Sequence, residues 1–280
     1  MQVIESVNDM QSSSVALRSE GKLIGLVPTS GFLHAGHRSL VEKAREQADR
    51  VVVSIFVNPR EFGPNEDFRR YPRDRERDLA LCAEAGVDTV FIPSEAEMYP
   101  MGYSSSVTEE KRSAGLCGLS RPHYFKGACT VFAKLINIVR PDALYLGWRD
   151  AQLAAVVRKM VEDLNFPVDI LLGETVRDAD GLALSARNEY LNDFQRRDAV
   201  LVYKALCQGK ALVESGILNV DRILAEVTHH IAQSRRLRVI YVSAVDPETM
   251  EPRREIVLGN TLVATAVWCD EVRLLDNILL

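Results

Sequence analysis

The chain has 280 residues, 47% of them hydrophobic and 26% charged, with a net charge of 34 − 39 = −5. It can bury one large core or two smaller ones, so disorder is excluded as the default state. No run of like charge is long enough for a nucleic-acid arm, and no apolar stretch reaches the roughly 18 to 20 residues of a membrane span, so small molecules are the expected ligands.

Met1 to Glu5 lacks a basic and then apolar signal segment, which predicts a cytoplasmic protein. Lys22 to Pro28 is a short apolar run that ends in Thr29-Ser30-Gly31 and precedes a helical pattern with Leu40, Val41 and Ala44 on one face. Val51 to Val57 is a β-branched run of the kind that lies buried on both faces of a parallel sheet. Helices follow at Asp74–Ala85, Thr130–Val139 and Ala151–Leu164, interleaved with strands at Thr89–Ile92, Ala143–Leu146 and Val168–Leu172.

This alternation predicts a doubly wound, mostly parallel α/β sheet of the Rossmann type, with ligands in the crevice at the carboxyl ends of its strands. After about Val176 the pattern changes to long helices, Asp193–Ser215 and Val220–Arg235, and strands at Val239–Val245 and Leu262–Val267. Residues 1–175 are therefore expected to bind nucleotide and acid, and 176–280 to form a smaller α+β lid domain. The five cysteines, Cys82, Cys117, Cys129, Cys207 and Cys269, are widely and irregularly spaced, without a C-x-x-C pair or a histidine in zinc register. They read as reduced, mostly buried thiols, and no protein metal site is predicted.

The first strand ends in Pro28-Thr29-Ser30-Gly31-Phe32-Leu33-His34-Ala35-Gly36-His37. Two imidazoles separated by Ala-Gly at the amino end of a helix can surround a triphosphate, and Gly36 allows close backbone approach. A second segment, Gly147-Trp148-Arg149-Asp150, also follows a strand and opens a helix. A third, Val176 with Leu184-Ser185-Ala186-Arg187, offers a hydroxyl and a guanidinium suited to β- and γ-phosphates. The bland reading of that third segment is a helix cap with a solvated arginine.

His-x-Gly-His resembles the signature of the nucleotidyltransferase superfamily. With Val27-Pro28-Thr29 before it, Val53 to Pro59, Tyr71-Pro72-Arg73, Asn137 to Pro141, Ser185-x-Arg187-Asn188 and Asp276-Asn277-Ile278, nearly the whole chain resembles the pantothenate synthetase (pantoate–β-alanine ligase) family. The resemblance implies a cytoplasmic homodimer that uses ATP and Mg²⁺, activates a small acid as an acyl-adenylate and passes it to an amine. His34, His37, Arg149 and Arg187 would be catalytic. Asn58, Glu61, Tyr71, Tyr124 and Leu153 would meet the acid, and Mg²⁺ would be held mainly by phosphate oxygens.

The chain also departs from that family. Glu61 and Leu153 stand where two glutamines orient pantoate, Arg149 where a lysine is usual, and Ser30, Tyr124 and Ala186 where Met, His and Ser are usual. These changes leave a second reading open, a ligase of the same chemistry for another small acid or amine. A third, from another class, is a nucleotidyltransferase that stops after the first step.

Overall fold

The computed structural model describes residues 1–280. Its elements are β1 (Gln2–Ile4), α1 (Val7–Ser19), β2 (Ile24–Thr29), α2 (Ala35–Gln47), β3 (Arg50–Ile55), α3 (Arg75–Glu84), β4 (Thr89–Phe91), α4 (Glu95–Met98), α5 (Cys117–Ser120) and α6 (Tyr124–Val139). These are followed by β5 (Ala143–Gly147), α7 (Ala151–Asp163), β6 (Asp169–Gly173), α8 (Asp193–Glu214), α9 (Val220–Ile231), β7 (Leu237–Val245), β8 (Leu262–Cys269) and β9 (Val272–Leu279).

Six strands pair in the order β1-β4-β3-β2-β5-β6, all parallel. The doubly wound fold expected from the alternation is therefore present. Strand β3 shows why its sequence is continuously apolar. Val52 faces a core built with α1, α6 and α7, whereas Val51 and Val53 face the opposite core, built with α2 and α3. The chain winds outward from β2 through β3 to β4, then returns to place β5 on the other side of β2. The resulting switch point between β2 and β5 opens a crevice at their carboxyl ends.

The last parallel strand ends at Gly173, and a separate core begins at Leu182, formed by α8 and α9 on the antiparallel sheet β7-β8-β9. A small cluster including Ala151 and Ala155 of α7 with Leu262 and Ala264 of β8 joins the two parts. The structure adds elements the sequence patterns did not reveal. Strand β1 has three residues, α1 is serine-rich with only Met10 and Ser14 buried, and β9 buries a polar pair, Asp276-Asn277, in the middle of its apolar alternation. Helix α6 starts at Tyr124 rather than Thr130.

Candidate active site

The crevice is a cavity of about 250 Å³ lined from both halves of the chain. At its floor the end of β2 turns into α2 through Gly31 and Phe32, both with positive φ (77° and 51°). Glycine adopts that conformation without steric cost, and the Phe32 backbone must be held in it. Asp78 on α3 accepts from the amides of Phe32 and Leu33 at 2.8 and 2.6 Å, tying the loop down from behind.

His34 then caps α2. Its Nδ1 accepts from the Gly36 amide at 3.1 Å, and the Nδ1 of His37 accepts from the His34 amide at 3.2 Å, a reciprocal capping box made of two imidazoles. A ring nitrogen that accepts carries no proton, so each neutral ring bears its proton on Nε2. Burial, then the charges of Arg149 and Arg77, lowers the pKa of His34 to about 4. Burial, then His34 and Arg149, lowers that of His37 well below its ordinary value. Both are neutral donors at physiological pH. A Cβ at Gly36 would lie 3.0 Å from the His34 ring, so glycine keeps the ring in place.

The segment after β5 enters from the other side of the switch point. Arg149 donates through Nε and Nη2 to Asp150 Oδ2 (3.2 and 2.7 Å) and through Nη1 to the Leu184 carbonyl (2.7 Å). Asn277 of β9 donates to the carbonyls of Trp148 and Arg149, both at 2.9 Å, so the last strand of the chain fixes this segment.

Beyond Leu184, Ser185 Oγ accepts from the Arg187 amide at 3.2 Å. The capping half of the bland reading is thus present, but Arg187 is mostly covered, its side chain 24% exposed. Its Nε and Nη2 donate to the two oxygens of Asp67, both at 3.1 Å, and its guanidinium sits 5.3 Å from the Tyr71 ring centre. Burial works against ionisation of Asp67, but the hydrogen bond and charge of Arg187 prevail and hold its pKa below the usual range. This ion pair, with the Tyr190 hydroxyl donating to the Arg70 carbonyl at 2.9 Å, straps residues 184–190 to residues 62–71 across the mouth of the cleft.

The remaining wall carries Glu61, Tyr71, Tyr124 and Leu153. Gly127 of α6 lies against the turn at Pro59–Glu61; a Cβ there would be 2.2 Å from the Arg60 carbonyl oxygen, which is why a glycine sits inside this helix. Arg121 donates to both oxygens of Glu66 (2.8 and 2.6 Å) and to the Glu61 carbonyl (2.9 Å), and stacks over Tyr124 at 4.1 Å. Burial raises the Glu61 carboxyl to about 6 and the Tyr124 hydroxyl well above its ordinary value.

Most residues singled out in the sequence meet here. Pro28, Thr29 and Ser30 lie below the two histidines, Gly147 and Asp150 beside Arg149, and Val176, Leu184 and Ser185 beside Arg187. Three do not line the cleft. Gly31 supports the turn behind it, and Ala186 is buried under the 184–190 loop. Asn58 is 1% exposed, and its amide is spent internally: Nδ2 donates to Glu61 and the Gly127 carbonyl, and Oδ1 accepts from the Tyr99 hydroxyl and the Arg60 amide. It holds Glu61 Oε1 and presents no free polar atom to the cleft. Conversely, sequence reasoning gave no role to Asp67, Asp78, Arg121 or Asn277. The one visible signal was an acidic residue inside an apolar helical pattern, Asp78.

No three His, Cys, Asp or Glu side chains are arranged as a metal cluster. The carboxylates lining the cleft are those of Glu61, Asp150, Glu174 and Asp276; Arg177 takes up Asp276, and Arg149 engages one oxygen of Asp150. Scattered single carboxylates of this kind fit Mg²⁺ in the manner it adopts with nucleotides, with phosphate oxygens as its main ligands and few from the protein.

The parallel sheet with its switch point and a donor-lined cleft define an α/β protein of nucleotidyltransferase-like fold. The family model of pantoate-beta-alanine ligase matches residues 2–279. The pantothenate synthetase of Moorella thermoacetica is 48% identical over 280 residues, spanning 100% of this chain and 99% of that one. The crystal structure of pantothenate synthetase from Thermus thermophilus superposes with a TM-score of 0.93 at 40% identity, covering 100% of this chain and 99% of that one. That of pantoate-beta-alanine ligase from Francisella tularensis, complexed with beta-gamma ATP and beta-alanine, gives 0.83 at 30% identity, covering 100% and 97%. The chain belongs to the pantoate–β-alanine ligase family and is an ATP-dependent ligase.

Proposed function

We propose that the chain joins pantoate to β-alanine in two steps, forming a pantoyl-adenylate from ATP and then pantothenate and AMP. The observation that carries this reading is the convergence in one cleft of two neutral Nε2–H donors at a helix amino terminus with Arg149, Arg187 and Ser185. Such donors stabilise charge that develops at phosphate oxygens in the transition state. In the first step a carboxylate oxygen of the acid attacks the α-phosphorus, the bond to the β-phosphate bridging oxygen breaks, and diphosphate leaves. In the second the amine nitrogen attacks the acyl carbon, the bond to the adenylate oxygen breaks, AMP keeps the electron pair, and the nitrogen loses a proton. No side chain becomes acylated. Mg²⁺, when bound with the nucleotide, neutralises phosphate charge.

The part from residue 176 onward serves as the lid, its Arg187 strap opening and closing the cleft. A cytoplasmic homodimer belongs to the same proposal, and light scattering on the purified protein checks the assembly.

A second reading, a different small acid, draws on Glu61 and Leu153 in the acid wall, where one side chain is acidic and the other apolar. Acid-dependent ATP–diphosphate exchange over a panel of small hydroxy and amino acids, followed by mass spectrometry after β-alanine is added, separates the two. Exchange led by pantoate, with pantothenate and AMP as products, supports the first. Exchange led by another acid supports the second, and a stable nucleotidyl product contradicts both.

A further inference from the structure

Glu61 is the acidic side chain of the wall it shares with Tyr71, Tyr124 and Leu153, and it has no cation of its own. The three nearby guanidiniums are each committed elsewhere: Arg121 to Glu66, Arg149 to Asp150, and Arg187 to Asp67. Arg60, next in sequence, turns away and stacks on Tyr99 and Tyr103 at 4.5 and 4.6 Å, and Lys134 lies over the same Tyr103 ring. Isolated charge in a closed wall is costly, and a carboxyl so placed keeps its proton more readily than one in water.

Which oxygen would hold that proton is set by Asn58. Its Oδ1 accepts from the Tyr99 hydroxyl and the Arg60 amide, so its Nδ2 must point at Glu61 Oε1 (2.9 Å). Oε1 is thereby an acceptor, and no group of the protein donates to Oε2. We propose that Glu61 anchors the acid substrate as a neutral carboxylic acid, donating its Oε2–H to an oxygen of the substrate, so that binding the anionic acid takes up a proton from solvent. The proposal rests on the reading that this wall receives a small carboxylate.

The charged and titratable groups around Glu61 are Tyr99 after α4, Arg121, Tyr124 and Cys129 of α6, Asp150 after β5, Arg187 of the 184–190 loop, and Tyr71. Burial is the largest influence and raises the carboxyl to about 6, with Asp150 adding to it and Asn58, Arg121 and Arg187 opposing. An arriving carboxylate adds a further negative charge and raises it again. Below about pH 6 the free protein is already protonated, and affinity for the acid is flat. Above it the proton must be taken up, so the KM for the acid climbs by about tenfold per pH unit until the pKa of the complex is reached.

The test compares wild type with Glu61→Gln, whose amide donates without titrating. The KM for pantoate in ATP–diphosphate exchange is measured from pH 5.5 to 8.5, and the ratio of the two profiles removes titrations the proteins share. Calorimetry of pantoate binding to wild type, in buffers of different ionisation enthalpy at pH 7.5, counts protons without any variant. The expected results are a ratio that rises with pH above about 6, and uptake of about one proton by wild type and none by Glu61→Gln. Parallel profiles, or no uptake by wild type, overturn the proposal. Absence of pantoate-dependent exchange at every pH instead overturns the functional reading. The proton count is then made with whichever small acid supports exchange, and zero uptake with that acid overturns this proposal as well.

Discussion

Both imidazoles that cap α2 use Nδ1 as an acceptor, and this fixes the chemistry of the site more narrowly than the residue types do. Each Nε2–H is a preset donor that needs no proton from solvent. Replacing His34 or His37 by Ala is expected to slow adenylation by at least about a hundredfold in ATP–diphosphate exchange, since a donor at the reacting phosphate is lost. Near-normal exchange in either variant would remove that histidine from the mechanism. With His34 at about 4 and His37 also far below 6.5, the turnover number at saturating substrates should show no histidine inflection between pH 6 and 8. The same depression acts on stability: an unfolded histidine takes up a proton from about pH 6.5 downward that the folded His34 refuses until about pH 4. Denaturation at stepped pH should therefore show stability falling across that window as acid is added. The histidines were legible in the sequence because the motif is local. Their tautomer was not, since it depends on amides that only the folded turn brings within reach.

The turn at Pro59–Glu61 and the 184–190 loop show how elements hold these side chains. Gly127 lets α6 lie against the Arg60 carbonyl, so Gly127→Ala should push the turn away. A loss of about 1–3 kcal/mol in urea denaturation is expected, with a raised KM for the acid; unchanged stability would mean that the helix shifts without strain. Arg187→Ala breaks the strap to Asp67 and removes a cation from the cleft. It should raise the KM for ATP and slow diphosphate formation, because a lid guanidinium gains most as charge moves to the leaving group. An unchanged first step would reduce Arg187 to a tether between loops. Strands β2, β3 and β5 could be read from sequence because burial on both faces leaves a continuous apolar run. Elements with weaker signals could not: β1 is three residues at a sheet edge, and the first turns of α6 hold a glycine that packing, not helix propensity, requires.

At the scale of the molecule, the cleft is assembled from segments more than a hundred residues apart. Asn277 on the last strand holds the carbonyls of Trp148 and Arg149, and Asp276 beside it takes both ends of the Arg177 guanidinium at 2.7 and 2.8 Å. These long-range partners explain why the sequence yielded the contents of the site but not its internal ties: Asp67, Asp78 and Asn277 each act on residues that no local pattern connects to them. Under the proposed function this assembly adenylates the acid, whose carboxylate attacks the α-phosphorus. The most direct test supplies pantoate labelled with ¹⁸O in its carboxyl group, together with ATP and β-alanine, and weighs the AMP produced. Transfer of one labelled oxygen from the acid into the phosphate of AMP is the predicted result. Unlabelled AMP, or label found in diphosphate or inorganic phosphate, would contradict it.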